Sequence, residues 1–82
     1  MKAHVYVTPK QTVLDPQGQA IHNALKKMQY KGVDDVRQGK YFVIRLSDTL
    51  DSTAAKAEVE RIAREVLTNP VIEEFRFQIE EK

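Results

Sequence analysis

The stretch Lys2-Ala3-His4-Val5-Tyr6-Val7-Thr8-Pro9, followed closely by Val13-Leu14-Asp15-Pro16-Gln17-Gly18, decides how this chain folds. In residues 2–8 apolar and polar side chains alternate. Ala3, Val5 and Val7 share one side; Lys2, His4, Tyr6 and Thr8 share the other, as in a half-buried strand. Pro9 ends it, because a proline has no N–H for the ladder. Asp15 is suited to cap a helix N-terminus. Pro16 suits the first helical position, where the N–H it lacks has no partner in any case. Gly18 then falls in the first turn, where it costs up to about 1 kcal/mol relative to Ala. A glycine there predicts that something approaches the backbone closely.

Working outward, Ala20, Ile21, Ala24, Leu25 and Met28 recur at helical spacing and predict a helix over 16–29. Gly32 reads as its stop. Residues 33–37 and 40–47 read as paired strands, with Gly39 in the left-handed position of a three-residue hairpin loop. In the second of them Phe42, Ile44 and Leu46 face one way, and Tyr41, Val43 and Arg45 the other. After a polar loop at 47–51, Asp51 or Ser52 caps a second helix that runs to residue 68. Its apolar stripe is Ala55, Val59, Ile62, Ala63, Val66 and Leu67. Its outer face pairs Glu60 with Arg64 and Arg61 with Glu65. Asn69-Pro70 stops it, and residues 71–80 form a last strand.

Strand, helix, strand, strand, helix, strand is the order of the split β-α-β, ferredoxin-like arrangement. The predicted fold is α+β: residues 1–82 as one domain, an antiparallel sheet with both helices on one face. The covered face collects Val5, Val7, Phe42, Ile44, Leu46, Phe75, Phe77 and Ile79. The open face carries His4, Tyr6, Tyr41, Val43, Arg45, Ile72 and Arg76. That face is too apolar and aromatic for solvent alone, and too charged for a core. It reads as a contact surface for another subunit.

Composition narrows the classes. A chain of 82 residues builds a modest core, and it has no cysteine for disulfides or thiolate metal sites. Self-association is a natural extra source of stability for such a domain. A formal net charge of +1 gives no general pull toward nucleic acid or an anionic membrane. No apolar run approaches the roughly 20 residues of a membrane span, and no signal-peptide core follows Met1. The reading is a cytoplasmic protein.

The residues that carry chemistry are scattered. His4 and His22 fall on different elements, and the three glycines form no phosphate loop. Asp34-Asp35 and Glu73-Glu74 are adjacent pairs, so in strands their members point to opposite faces and cannot share a reacting atom. His4, beside Tyr6, reads as an interface or solvent residue rather than a ligand. Lys10 is either a solvated charge or a contact across a subunit interface. Asp15-Pro16-Gln17-Gly18 is either a plain helix start or a helix start that also touches a partner.

Val5-Tyr6-Val7-Thr8, Lys10 and Val13-Leu14-Asp15-Pro16-Gln17-Gly18 are followed in order by Asp35-Val36-Arg37, Gly39-Lys40-Tyr41, and Asn69-Pro70-Val71-Ile72-Glu73 with Phe75. This set resembles the signature of the PurS family, the small subunits of phosphoribosylformylglycinamidine synthase. It departs from it after Tyr41, where the family tends to place an acidic residue and Phe42-Val43-Ile44-Arg45 stands here. The resemblance implies an ATP- and glutamine-using ligase of purine biosynthesis that makes formylglycinamidine ribonucleotide from formylglycinamide ribonucleotide. A large synthetase subunit binds ATP, with Mg, and the nucleotide substrate; a glutaminase subunit releases ammonia. The small subunit bridges the two, supports ammonia transfer and associates with itself.

On that footing this chain holds no catalytic, cofactor-binding or metal residue of its own. Lys10, Asp15, Gln17, Gly18, Arg37 and Lys40 are expected to contact the larger subunits. Tyr6, Tyr41, Val43 and Ile72 are expected to mediate self-association as a dimer or tetramer, with no nucleic acid and no membrane involved. Two other classes share the topology. One is RNA binding, in which open-face aromatics stack on bases, although the basic, aromatic strand motif of such domains is missing. The other is a small-molecule regulatory domain of the amino-acid-sensing type.

Overall fold

A computed structural model describes residues 1–81, in which strand β1 (Lys2–Pro9) leads into helix α1 (Pro16–Lys27). Strand β2 (Lys40–Arg45), helix α2 (Ser52–Ile62) and strand β3 (Glu73–Glu80) follow. β1 is central and antiparallel to both neighbours, in the order β2-β1-β3. The register sets Val5 opposite Phe42 and Phe77, and Ala3 opposite Ile44 and Ile79. One face of the sheet therefore gathers Ala3, Val5 and Val7 between Phe42, Ile44 and Leu46 on one flank and Phe75, Phe77 and Ile79 on the other. α2 lies on this face. Ala3, Val5, Val7, Ala55, Val59 and Ala63 have no exposed surface, while the flanking residues are half-buried. The α+β class, the antiparallel sheet and the inward-facing set agree with the expectation from the sequence.

Local chemistry explains the ends of α2. Asp51 is the cap, its Oδ1 accepting from the Ala54 N–H at 2.8 Å. Ser52 is the first helical residue, and its hydroxyl donates to Glu81 at 2.6 Å. The helix closes through a wider π-type turn, Ala63–Leu67, before Asn69-Pro70. There the Asn69 carbonyl accepts from Ile72 and Glu73, and its side chain accepts from the Val71 N–H. This turn holds Val71 and Ile72 outside the ladder, so β3 starts at Glu73.

The rest of the expected arrangement is altered by the segment 28–39. Residues 33–37 do not pair with β2. They return along α1 instead: His22 Nε2 lies 3.0 Å from the Val33 carbonyl, and the Gln38 N–H donates to Asp15 at 2.7 Å. Gly18 is buried directly beneath Val36 and Arg37. With its backbone committed to the helix, this segment adds no fourth strand. Gly39 also departs from the expectation, because no glycine has a positive φ. Its position reflects close approach: a Cβ there would lie 2.4 Å from the Val7 carbonyl oxygen. Nor is Gly32 the stop of α1, since a Cβ on it would meet open space. The left-handed residue is Gln29, at φ 75°. The Tyr30 N–H donates to the Leu25 carbonyl and the Gln29 N–H to that of Lys26, each at 3.0 Å, which is a Schellman closure.

α1 does not sit on the sheet as the second covering helix. Gly18 is its buried residue, Ala20 and Ala24 are exposed, and no α1 side chain among the described residues belongs to the core. The molecule measures 51 × 28 × 14 Å. An eight-residue strand spans only about 27 Å, so α1, roughly 18 Å long, projects beyond the sheet.

Candidate partner-binding surfaces

The first surface is the corner where β1 hands over to α1. Asp15 caps α1, accepting from the Gly18 N–H at 3.1 Å through Oδ1, and its Oδ2 accepts from the Gln38 N–H. These two amides, Gln38's above all, hold the Asp15 carboxyl below the usual carboxylate range, and the Arg37 charge adds to the effect. One side chain therefore starts the helix and pins the returning segment beside it. The Arg37 guanidinium donates to the carbonyls of Lys10 and Val13, at 2.5 and 3.0 Å, and so shapes the loop before the cap. The Gln38 amide donates to Gln17 Oε1 at 3.0 Å. The Lys10 N–H donates to the Ile72 carbonyl, tying the loop to the turn before β3. Lys40 Nζ stands 3.4 Å from Glu73. Asp15, Gln17 and Lys40 thus line one groove, together with Gln38 and Glu73.

All six residues expected at the larger subunits lie at or beside this corner. Their roles differ. Lys10, Gln17, Arg37 and Lys40 carry donors and acceptors at the surface, whereas Gly18 is buried. The close approach that Gly18 permits is made by residues 36–37 of the same chain.

The second surface is the open face of the sheet, opposite α2. Tyr6 and Tyr41 stack with ring centroids 5.2 Å apart. His4 stacks on Tyr41, and the Arg76 guanidinium sits 4.3 Å above the Tyr6 ring. His4 Nε2 lies 2.8 Å from Glu80 Oε1, and Nδ1 lies 2.6 Å from the Tyr41 hydroxyl. An ionised carboxylate only accepts, so Nε2 carries the proton, and in the neutral ring Nδ1 then accepts from Tyr41. The bond from His4 holds the Glu80 carboxyl below its usual range. The network crosses all three strands and fixes two large aromatic rings on an open surface. Pre-ordered aromatic and arginine groups of this kind anchor protein contacts at low entropic cost. Tyr41 and Val43 are 56% and 50% exposed, and Ile72, 41% exposed, stands in the turn before β3 rather than within it.

Reading the sequence did not find the His4–Tyr41 and His4–Glu80 contacts. A signal for them exists. His4 pairs with Val43 and Gln78, so Tyr41 and Glu80 are its diagonal neighbours, two residues along on the same face. The part played by Gln38 has no such signal, because its contact with Asp15 is made by a backbone amide that every residue except proline carries.

The PurS family model, described as phosphoribosylformylglycinamidine (FGAM) synthase, matches residues 2–81. The PurS subunit of phosphoribosylformylglycinamidine synthase from Bacillus subtilis (strain 168) is 40% identical over 80 residues, which cover 98% of this chain and 93% of that protein. In structure, Bacillus subtilis PurS in its C2 crystal form is similar with a TM-score of 0.84, at 40% identity and 98% coverage of both chains. A chain in the structure of PurLQS from Thermotoga maritima is similar with a TM-score of 0.77, at 26% identity, covering 94% of this chain and 93% of that one.

Proposed function

The chain belongs to the PurS family of phosphoribosylformylglycinamidine synthase subunits, and from that membership we propose that it is a non-catalytic bridge between the ATP-dependent synthetase and the glutaminase of that enzyme. The observation that carries the proposal is the family match over residues 2–81, nearly the whole chain. A related chain occurs in PurLQS, and by that likeness the partners are a PurL-type and a PurQ-type subunit. The corner around Asp15 presents Lys10, Gln17, Arg37 and Lys40 to them. The open face with Tyr6, Tyr41 and Val43, and Ile72 near its edge, serves self-association. ATP and Mg are bound by the synthetase, and the bond-making groups lie in the neighbouring subunits. The chain's contribution to ammonia transfer is to help close an interface that keeps ammonia from bulk water. No helix of the described residues is long and apolar enough to cross a membrane, in keeping with work in the cytoplasm.

Reconstitution with the synthetase and glutaminase of the same organism tests this. Omitting the chain abolishes glutamine-driven synthesis of formylglycinamidine ribonucleotide while synthesis from added ammonium persists. Equal glutamine-driven rates with and without the chain would refute the bridging role.

A further inference from the structure

One end of the open sheet face carries a hollow of about 440 Å³, a size typical of small-molecule sites. The register builds it. Tyr6 lies opposite Tyr41 and Arg76, and Thr8 lies opposite Glu74. β2 begins at Lys40, opposite Val7, so Gly39 falls beside Thr8. No side chain can stand at that position. A Cβ on Gly39 would meet the Val7 carbonyl oxygen at 2.4 Å and Thr8 Cγ2 at 2.9 Å. The row of large side chains, Tyr41-Tyr6-Arg76, is thus followed by a row with a gap at Gly39. The step between the two rows is the hollow.

Its polar groups are unengaged. The Tyr6 ring lies between Tyr41 and Arg76, which reach it from the strands on either side. The Arg76 guanidinium rests on that ring rather than on Glu74, its neighbour two residues away on the same face of β3. Positions so spaced stand about 7 Å apart along a strand. Among the described residues, neither this guanidinium nor the Glu74 carboxylate enters a hydrogen bond or an ion pair, and the Thr8 and Tyr6 hydroxyls enter none either. Lys40, also at the rim, has its charge answered by Glu73 at 3.4 Å. One anion and one cation remain.

That pair selects its ligand. A simple anion such as phosphate gains Arg76 but meets the like charge of Glu74, and a simple cation meets the reverse. A stacking base finds both sides of Tyr6 already taken. A zwitterion satisfies both charges: its carboxylate accepts from the planar guanidinium fork, and its ammonium donates to the Glu74 carboxylate. We propose that the hollow binds a free α-amino acid, its carboxylate on Arg76 and its ammonium on Glu74, with the hydroxyls of Thr8 and Tyr6 lining the space beside it. The site lies one row beyond Tyr6 and Tyr41, on the side away from Val43. It stands independently of the bridging role.

Both charged groups are exposed, so the expected affinity is weak, with Kd about 1 mM. L-Glutamine serves as the probe because its side chain is neutral and only its main-chain charges are tested. Titrated into the isotopically labelled full chain, it shifts the backbone amide resonances of Thr8, Gly39 and Glu74 along saturating curves and leaves those of α2 in place. Arg76→Gln and Glu74→Gln each raise Kd by about tenfold or more. Removing one charge from the probe, as in N-acetyl-L-glutamine or L-glutaminamide, has the same effect. The blocked probes need no variant, so they decide the matter even where a substitution disturbs the fold. Absence of saturable shifts up to about 20 mM would overturn the proposal. So would an unchanged Kd in either variant, or binding of either blocked probe as tight as that of L-glutamine, which would mark a site for a single ion.

Discussion

A methyl group on Gly18 would sit 2.3 Å from the Val36 carbonyl oxygen and 2.5 Å from Asp15 Oδ2. The first is backbone, and the second belongs to a carboxylate already held by two amides, so neither yields freely. Gly18→Ala gains about 1 kcal/mol of helix propensity and loses about 1–3 kcal/mol to overpacking. The expected net result is a destabilisation of about 1 kcal/mol in urea unfolding, and a raised midpoint would show that residues 36–37 do not rest on the helix. Asp15 carries a pH dependence. Its folded-state pKa lies below the ordinary value of 3.8, so its contribution is present above that value and is lost as pH falls through the lowered folded value. Asp15→Asn therefore lowers the melting temperature at neutral pH and flattens its decline in acid. Parallel curves for the two proteins between neutral pH and pH ~2 would remove the carboxylate from this role.

At the scale of elements, α1 shows how a helix end is chosen. Gly32 carries the commonest stop signal, yet the turn closes on Gln29, where the apolar stripe ends at Met28 and the amides of Gln29 and Tyr30 reach back to Lys26 and Leu25. A left-handed residue with a Cβ costs about 1 kcal/mol. Gln29→Gly relieves that strain and is expected to stabilise the protein by about 0.5–1 kcal/mol, read as a raised melting temperature. A lowered one would contradict the left-handed closure. The same reasoning covers residues 33–37. Their alternation suits a strand, but Asp15, Gly18 and His22 offer the backbone of this stretch and its neighbours an immediate set of contacts along α1.

At the scale of the whole molecule, the fully buried side chains are small: alanines and valines drawn from β1, α2 and the start of the π-type turn. A core of that size leaves a domain marginal when alone. Self-association that adds to this core makes stability depend on protein concentration. The melting temperature is expected to rise by several degrees over a hundredfold increase in concentration. A flat dependence would mean that one chain is a finished folding unit.

The sequence by itself determined the three strands and two helices that form, the two faces of the sheet, the cap at Asp15 and the family signature, whereas the choice of Asp51 rather than Ser52 as the cap of α2 came from the structure. The former rest on periodicity and on contacts within a few residues, so the order of side chains along the chain contains them. Only the tertiary structure decided that residues 33–37 follow α1 rather than β2, that Gly18 is covered by its own chain, and that His4 joins Tyr41 to Glu80 across the sheet. A backbone amide or carbonyl is chemically the same whichever partner it meets. Choosing between a strand and a helix as that partner requires the distances of the folded chain, and those depend on every other element at once.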